Sequence, residues 1–247
     1  MIQKSLEGGV SILRMDRADK KNALTGDMYT VMAEALETGN TDDAVRCHVI
    51  CGQPGVFTAG NDIADFLKYA GGGDLSNTPV LRFLRAIARN EKPLVAAVDG
   101  LAIGVGTTLL MHCDMVFASP SAIFKTPFVD LGLVPEAGSS VLGPQIMGHA
   151  RAFELLCLGE TFDAERAEQA GLVNWVVEDV DAAAMECARA IAAKPPQAMA
   201  ISRRLLRGDR TALNDTIEEE ARIFGERLSS PETIAAFQAF MSKKPKG

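Results

Sequence analysis

Two places in this chain join an apolar run, a glycine turn and a helical pattern, and they constrain the fold more than any other feature. The first is residues 56–63 (VFTAGNDI) and the second is residues 99–114 (DGLAIGVGTTLLMHCD). In both, glycines end a strand-like run before a helix begins. Such junctions leave backbone N–H groups unpaired and directed outward. Their recurrence is typical of α/β folds, in which strands and helices alternate.

The remaining patterns predict strands mainly in the first half of the chain and helices in the second. Residues 2–6 and 9–15 predict a hairpin, and further strands are predicted at 47–51, 94–98, 115–118, 122–124 and 174–177. A helix is predicted after Thr25 as its N-cap, and others at about 79–89, 138–158, 163–170, 181–193, 197–206, 214–228 and 231–241. A strand-rich α/β core followed by a helical region is the predicted organisation.

The composition is ordinary for a soluble globular enzyme, with 47% hydrophobic and 23% charged residues. The net charge of −7 does not favour binding to nucleic acid or to an anionic membrane. The longest apolar stretch, at 94–111, is interrupted by Asp99 and by glycines, so it predicts strand, turn and helix and not a membrane span.

Cysteine, histidine and terminal patterns give no sign of a metal site or of export. The five cysteines form no CxxC pair and the three histidines are scattered, so we expect free thiols and no metal. The N-terminus lacks the layout of a signal peptide, and the final residues KPKG are not a peroxisomal address. The cytoplasm is therefore the expected compartment.

One acid, Glu136, has few charged neighbours in the stretch 124–140 (FKTPFVDLGLVPEAGSS). If this loop is buried, poor solvation raises the pKa of its carboxyl toward neutrality, where a proton shuttle works. The alternative is that Glu136 only opens the following helix, because an acid in a first turn suits the helix dipole.

Other catalytic patterns are weak or missing. No Walker A, HExxH or GxSxG motif occurs, Ser139 and Ser140 lack a nearby histidine, and residues 104–106 (GVG) lack the third glycine of a dinucleotide fingerprint. Two amide-donating turns with one acid instead favour enolate chemistry. The amides hold a carbonyl oxygen as it becomes negative, and the acid moves a proton on the adjacent carbon.

The segments 57–63 (FTAGNDI), 99–106 (DGLAIGVG) and 113–114 (CD) resemble the enoyl-CoA hydratase/isomerase (crotonase) superfamily. The resemblance extends over essentially the whole chain. It implies an α/β fold with a crotonase-like ββα spiral core at 1–190 and a C-terminal helical trimerisation region at 191–247. It also implies a homotrimer or a dimer of trimers that acts on an acyl-CoA thioester. Coenzyme A is then part of the substrate, and no separate cofactor is expected.

The same resemblance assigns roles to individual residues. The oxyanion hole maps onto the backbone N–H groups of Asn61 and Val105. The two glutamates of the family's hydratases map onto Thr108 and Phe128, so hydration is not expected. Glu136 lies in a Pro-Glu-x-x-Ser-Ser run similar to that of peroxisomal-type Δ3,Δ2-enoyl-CoA isomerases, which carry their single catalytic glutamate there. The implied activity moves a double bond of 3-enoyl-CoA to give 2-trans-enoyl-CoA in fatty-acid β-oxidation.

Further residues are candidates for contact with the acyl-CoA by this resemblance. They are Lys21, Asn22, Ala23, Leu24, Ala59, Gly60, Asp62, Ile63, Gly104, Phe128, Leu133, Lys243 and Lys244. Each lysine has the alternative of an ordinary surface charge, Asp62 that of a helix cap, and each apolar residue that of the core. Phe162 is a candidate for the acyl pocket on the same terms, and residues 67–78 are a candidate lid.

Two other functions stay open at this point. One is a different acyl-CoA reaction, such as hydration, hydrolysis or decarboxylation, in which Thr107 or Thr108 holds a water. The other is an acyl-CoA-binding protein that has lost catalysis. The intact run around Glu136 is the feature that speaks against the second.

Overall fold

The computed structural model describes residues 1–66 and 75–242. Its strands are β1 (Ile2–Glu7), β2 (Val10–Met15), β3 (Cys47–Cys51), β4 (Val56–Thr58), β5 (Leu94–Val98), β6 (Leu101–Ile103), β7 (Met115–Ala118), β8 (Ile123–Lys125), β9 (Phe162–Asp163) and β10 (Trp175–Val176). Its helices are α1 (Gly26–Thr41), α2 (Ile63–Phe66), α3 (Pro79–Arg89), α4 (Val105–Thr108), α5 (Ser139–Leu156), α6 (Ala164–Gln169), α7 (Val180–Ala192), α8 (Pro196–Arg207), α9 (Thr211–Leu228) and α10 (Pro231–Ser242). Most of the candidate lid and both Lys243 and Lys244 lie outside the described residues.

The strands form two sheets, and the chain alternates between them. One sheet has six strands in the order β1-β2-β3-β5-β7-β10, and the other has four in the order β4-β6-β8-β9. From β3 to β8 each strand of the larger sheet is followed by a strand of the smaller one. Apart from the β1–β2 hairpin and the β8–β9 pair, neighbouring strands run parallel. The predicted α/β class and ββα spiral are confirmed.

The central strands of the larger sheet are buried on both faces, which explains why almost all of their residues are apolar. Successive side chains of a strand point to opposite faces. In β3, Ile50 joins the main hydrophobic core while Val49 joins a second core on the other face, where α7 packs. In β5, Ala96 and Val95 divide in the same way. Every residue of both strands is buried, as expected for parallel strands covered on two sides.

The predicted helices and strands within the described ranges are present, with bounds that differ by a few residues. Thr25 caps α1, since its hydroxyl accepts a hydrogen bond from the amide of Met28. The uninterrupted helix predicted at about 138–158 is wrong in one respect. Gly148 (φ 77°, ψ 159°) breaks α5, a conformation that glycine adopts without a steric penalty.

All five cysteines are free. In the part of the chain that the structure describes, no helix is long and apolar enough to cross a membrane. Over the same residues, no group of three or more His, Cys, Asp or Glu side chains is arranged to hold a metal ion.

Candidate active site

The two glycine turns identified in the sequence meet at one cavity of about 730 Å³. They follow β4 and β6, which are parallel neighbours in the smaller sheet, so both turns lie at the same edge. Gly60 has a φ of 88°, and a Cβ at this position would lie 2.8 Å from the carbonyl oxygen of Ile103. Only glycine therefore allows the first turn to approach the second this closely.

The cavity collects most of the residues expected around the thioester. Among the residues that line it are Ala59, Gly60, Asn61, Ile63, Gly104, Val105, Phe128 and Leu133. These come from the two turns and from the loop that precedes Glu136. Residues far apart in the sequence are thus brought to one wall by the sheet edge.

The amides of Asn61 and Val105 are available to a ligand. On either side of Asn61, the amide of Asp62 donates to Leu24 (N···O 2.9 Å) and the carbonyl of Gly60 accepts from Leu24 (2.8 Å). The amide of Gly104 donates to the carbonyl of Lys125 (2.8 Å). Within the described ranges, neither the Asn61 nor the Val105 amide donates to a protein acceptor. Such free donors are what an oxyanion hole requires.

Glu136 is buried, with 7% of its surface exposed. The Thr108 hydroxyl donates to its Oε1 at 2.5 Å. Burial raises the pKa of Glu136 to about 8, the hydrogen bond from Thr108 opposes this rise, and the charge of Glu220 adds to it. This is the direction expected from its apolar sequence neighbours.

A short helix connects the proposed oxyanion donor with the acid. Helix α4 begins at Val105, which lines the cavity, and ends at Thr108, whose hydroxyl bonds to Glu136. Glu136 itself lines a smaller apolar pocket of about 50 Å³. Asn61 and Phe224 line both spaces, so the two pockets adjoin.

Glu220, on α9, is a residue that the sequence analysis missed. Its Oε2 accepts from the amide of Gly138 (2.6 Å), and its Oε1 accepts from the amide (3.1 Å) and the hydroxyl (2.5 Å) of Ser140. Glu220 therefore fills the role at the start of α5 that was the alternative for Glu136. With the amides of α5 occupied in this way, the Glu136 carboxyl bonds to Thr108 in the pocket.

Tyr29, on α1, holds the side chain of Asn61. Its hydroxyl donates to Asn61 Oδ1 at 2.5 Å. Burial, and to a smaller extent the nearby charge of Glu136, raises the pKa of Tyr29 well above its ordinary value. The phenol is therefore a permanent donor that fixes the residue carrying one of the free amides.

The segment 21–24 lies beneath the first turn and does not line the cavity. The Asn22 side chain is fully buried and donates to the carbonyls of Val56 (3.0 Å) and Phe57 (3.1 Å). Leu24 belongs to the core, Lys21 is exposed and Ala23 is half-buried. These residues support the turn from below.

Asp62 and Phe162 match their structural alternatives. The Asp62 carboxyl accepts from the amides of Ala64 (3.0 Å) and Asp65 (3.1 Å) and pairs with Arg17 (2.6 Å). Phe162 is fully buried in β9, with the Arg166 guanidinium 4.2 Å from its ring centre. It is absent from the lining of both active-site pockets.

Residues 5–246 match the protein family described as enoyl-CoA hydratase/isomerase. The chain is 37% identical over 247 residues to enoyl-CoA delta isomerase 2 of Rattus norvegicus, a match that covers 97% of this chain and 63% of that protein. It thus spans less than two thirds of that relative. It is also 32% identical to 1,2-epoxyphenylacetyl-CoA isomerase of Escherichia coli (strain K12), over 96% of this chain and 95% of the relative.

Solved structures agree with the sequence comparison. Pseudomonas aeruginosa OdaA superposes with a TM-score of 0.93 at 47% identity, covering 98% of this chain and 99% of its own. An enoyl-CoA hydratase/isomerase from Pseudoalteromonas atlantica T6c has a TM-score of 0.93 at 41% identity, with 98% and 97% covered. The fold, the paired turns and these relatives place the chain in the enoyl-CoA hydratase/isomerase family.

Proposed function

We propose that this protein is a Δ3,Δ2-enoyl-CoA isomerase of fatty-acid β-oxidation in which Glu136 is the catalytic base and acid. The observation that carries the proposal is the position of its carboxyl. Glu136 is the one ionisable side chain among the described residues that line the smaller pocket, and the adjoining cavity carries the free Asn61 and Val105 amides. By the resemblance, the two positions that hold glutamates in the family's hydratases hold Thr108 and Phe128 in this chain.

The reaction starts with the thioester carbonyl of a 3-enoyl-CoA at the two free amides. Ionised Glu136 removes a proton from C2, and the electron pair of that C–H bond spreads over a dienolate. The negative oxygen accepts hydrogen bonds from Asn61 and Val105. Such donors typically contribute on the order of 100- to 1000-fold in rate each.

The second step returns the same proton to C4. The neutral carboxyl of Glu136 donates it as the double bond moves to C2=C3, and the product is 2-trans-enoyl-CoA. C2 and C4 can both be reached from one face of the planar dienolate, so one carboxyl can remove the proton from C2 and return it to C4. No water, metal or separate cofactor takes part in this scheme.

The surroundings of Glu136 suit this shuttle. A carboxyl with a pKa of about 8 is a stronger base than an ordinary glutamate, because the apolar pocket disfavours its charge. The hydroxyl of Thr108 fixes one of its oxygens. The apolar side chains of Leu75, Val80 and Leu84 line the same pocket and offer a place for the acyl chain.

Binding of the coenzyme A portion and the assembly of subunits belong to the same proposal. We place the thioester in the larger cavity and retain Lys21, Lys243 and Lys244 as contacts for the nucleotide. The proposed assembly is a homotrimer or a dimer of trimers. The proposed compartment is the cytoplasm.

The test is turnover of 3-hexenoyl-CoA by the purified protein, followed as the rise in absorbance of the conjugated enoyl product. Glu136→Gln is expected to lower kcat by about 100- to 10,000-fold. The matched control is Asp130→Asn, since Asp130 lines the larger cavity but its side chain is 57% exposed and does not line the smaller pocket. It should retain turnover.

Three outcomes would refute the proposal. Full turnover by Glu136→Gln would exclude the shuttle. Free coenzyme A or a 3-hydroxyacyl product from the wild type would indicate a different acyl-CoA reaction. Binding of the ester without proton exchange at C2 would indicate a binding protein.

A further inference from the structure

A second large cavity, of about 590 Å³, lies between the C-terminal end of α3 and helices α8 and α9. It shares no lining residue with the active-site pockets. Its charged lining residues are Arg89, Glu91, Arg203, Arg204, Arg207 and Arg210. Five arginines thus face one lining acid, on a chain whose net charge is −7.

The acid beneath this cavity neutralises only part of that charge. Asp114 pairs with Arg203 (Nε···Oδ2 2.8 Å) and Arg207 (Nη2···Oδ1 3.3 Å). In the described ranges, Arg89, Arg204 and Arg210 form no ion pair. The cluster therefore keeps an excess of positive charge.

Several guanidinium nitrogens are buried without an acceptor. Arg203 is only 7% exposed, and its Nη2 has no hydrogen-bond partner in the described part of the chain. Nε and Nη2 of Arg210 are in the same state within the described residues. Burial, and then repulsion from Arg203 and Arg210, lowers the pKa of Arg207 to about 10 despite the opposing charge of Asp114. A buried charged donor without an acceptor is costly, so this arrangement favours a bound anion.

We infer that this arginine-lined cavity binds a small multivalent anion with at least two phosphoryl or carboxylate groups. Guanidinium groups offer paired N–H donors that match the oxygens of both groups. The separate arginines of α8, of the α8–α9 junction and of α3 supply donors on more than one side. Ala200 and Ile201 complete the wall with apolar surface, which suits an organic polyanion better than a single phosphate ion.

The experiment measures the thermal unfolding midpoint of the full chain during titration with pyrophosphate and, separately, with citrate. Total ionic strength is held constant with NaCl. A saturable rise in the midpoint is expected for at least one of them, since a ligand of the folded state stabilises it. Which probe binds more tightly distinguishes phosphoryl from carboxylate groups.

Two variants locate the binding. Arg204→Gln and Arg210→Gln should each weaken the apparent affinity about tenfold, because each removes charged hydrogen bonds. Arg204 is exposed and forms no ion pair with the other described residues, so its variant should fold normally. Arg189→Gln, on the exposed side of α7 and outside the cavity, is the matched control and should bind as the wild type does.

The inference is overturned if neither probe gives a saturable rise, if NaCl alone reproduces it, or if both cavity variants bind with unchanged affinity. A change in oligomeric mass with Arg204→Gln, without anion binding, would assign the cavity to a second copy of the chain and would also overturn it. None of these measurements requires turnover, so they stand apart from the isomerase proposal.

Discussion

Oε2 of Glu220 lies 2.6 Å from the amide nitrogen of Gly138, two residues after the proposed catalytic Glu136. Two buried carboxyls thus have different partners at this loop. Glu220 binds the amides at the start of α5, and Glu136 bonds to Thr108 in the pocket. The charge of Glu220 also helps to raise the pKa of Glu136. A distant helix therefore holds the loop that follows the proposed base and adds to the rise of its pKa, which burial dominates.

The raised pKa predicts a rate that climbs with pH. Glu136 must be ionised to accept the C2 proton, and its pKa is about 8 in the free protein. We expect kcat/KM for 3-hexenoyl-CoA to rise roughly tenfold per pH unit below this value and to level off above it, since kcat/KM reports the free enzyme. Initial rates between pH 6 and 9.5 measure the profile. A flat profile, or one with its midpoint near 4.5, would contradict the assignment.

Glu136→Gln, the variant expected to lose most of its turnover, should be more stable than the wild type in alkaline solution. The pKa of Glu136 is about 8 when folded and 4.5 ordinarily, so between these values the folded state holds a proton that the unfolded state has released. Stability therefore falls as pH rises through this window, and the full penalty is present above pH 8. Glutamine does not ionise and avoids the penalty.

Thermal unfolding at several pH values checks this second expectation. The midpoint of Glu136→Gln minus that of the wild type should be smallest near pH 5 and should grow to at least about 5 °C at pH 8.5. A difference that stays constant with pH would mean that Glu136 does not titrate as described.

Thr108→Val should raise the apparent pKa of the reaction. The hydroxyl of Thr108 stabilises the ionised form of Glu136, so its loss leaves burial and Glu220 unopposed. Activity at pH 7 is expected to fall about tenfold or more, with partial recovery above pH 9. Thr107→Val is the matched control, because the Thr107 hydroxyl donates to the carbonyl of Ala102 at 2.5 Å. It should lose stability without moving the pH profile.

Glu220→Gln should weaken both the loop and the basicity of Glu136. A carboxamide has one acceptor oxygen, so one of the amides of Gly138 and Ser140 faces an N–H₂ group. We expect a loss of about 1–3 kcal/mol in the free energy of unfolding and a lower kcat. Removal of the Glu220 charge should also shift the midpoint of the pH–rate profile to lower pH, which a purely structural role would not do.

The neighbouring residue Glu219 provides the comparison for this variant. Glu219 is exposed and pairs only with Arg222, at 2.7 Å, among the described residues. Glu219→Gln should leave stability and the pH profile almost unchanged. Equal effects of the two substitutions would contradict the role of Glu220.

Local features of the site were predictable from the sequence because they depend on neighbours along the chain. Glycines indicated the two turns, and the apolar sequence neighbours of Glu136 indicated that it is buried. The hydrogen bonds from Gly138 and Ser140 to Glu220 were not predictable. They join residues that are 82 and 80 positions apart, and they depend on the packing of α9. The pairing of Arg203 with Asp114 across 89 positions is of the same kind.

The errors in the predicted fold also have local causes. Strand β9 has two residues, too few to show any periodicity, and it exists because it pairs with β8. The break at Gly148 was hidden because a single glycine in a helical pattern is often tolerated. Asn22, a plausible polar contact in the sequence, is fully buried because its side chain replaces missing backbone partners at Val56 and Phe57.

The dependence of residues 136–140 on Glu220 has a consequence for the order in which this protein matures. During synthesis, both turns and Glu136 leave the ribosome well before α9 does. Until α9 has folded onto the core, the amides of Gly138 and Ser140 lack their acceptor, and the smaller pocket lacks the wall that Ile217, Ala221 and Phe224 supply. On the proposed mechanism, the site is therefore complete only when α9 is in place.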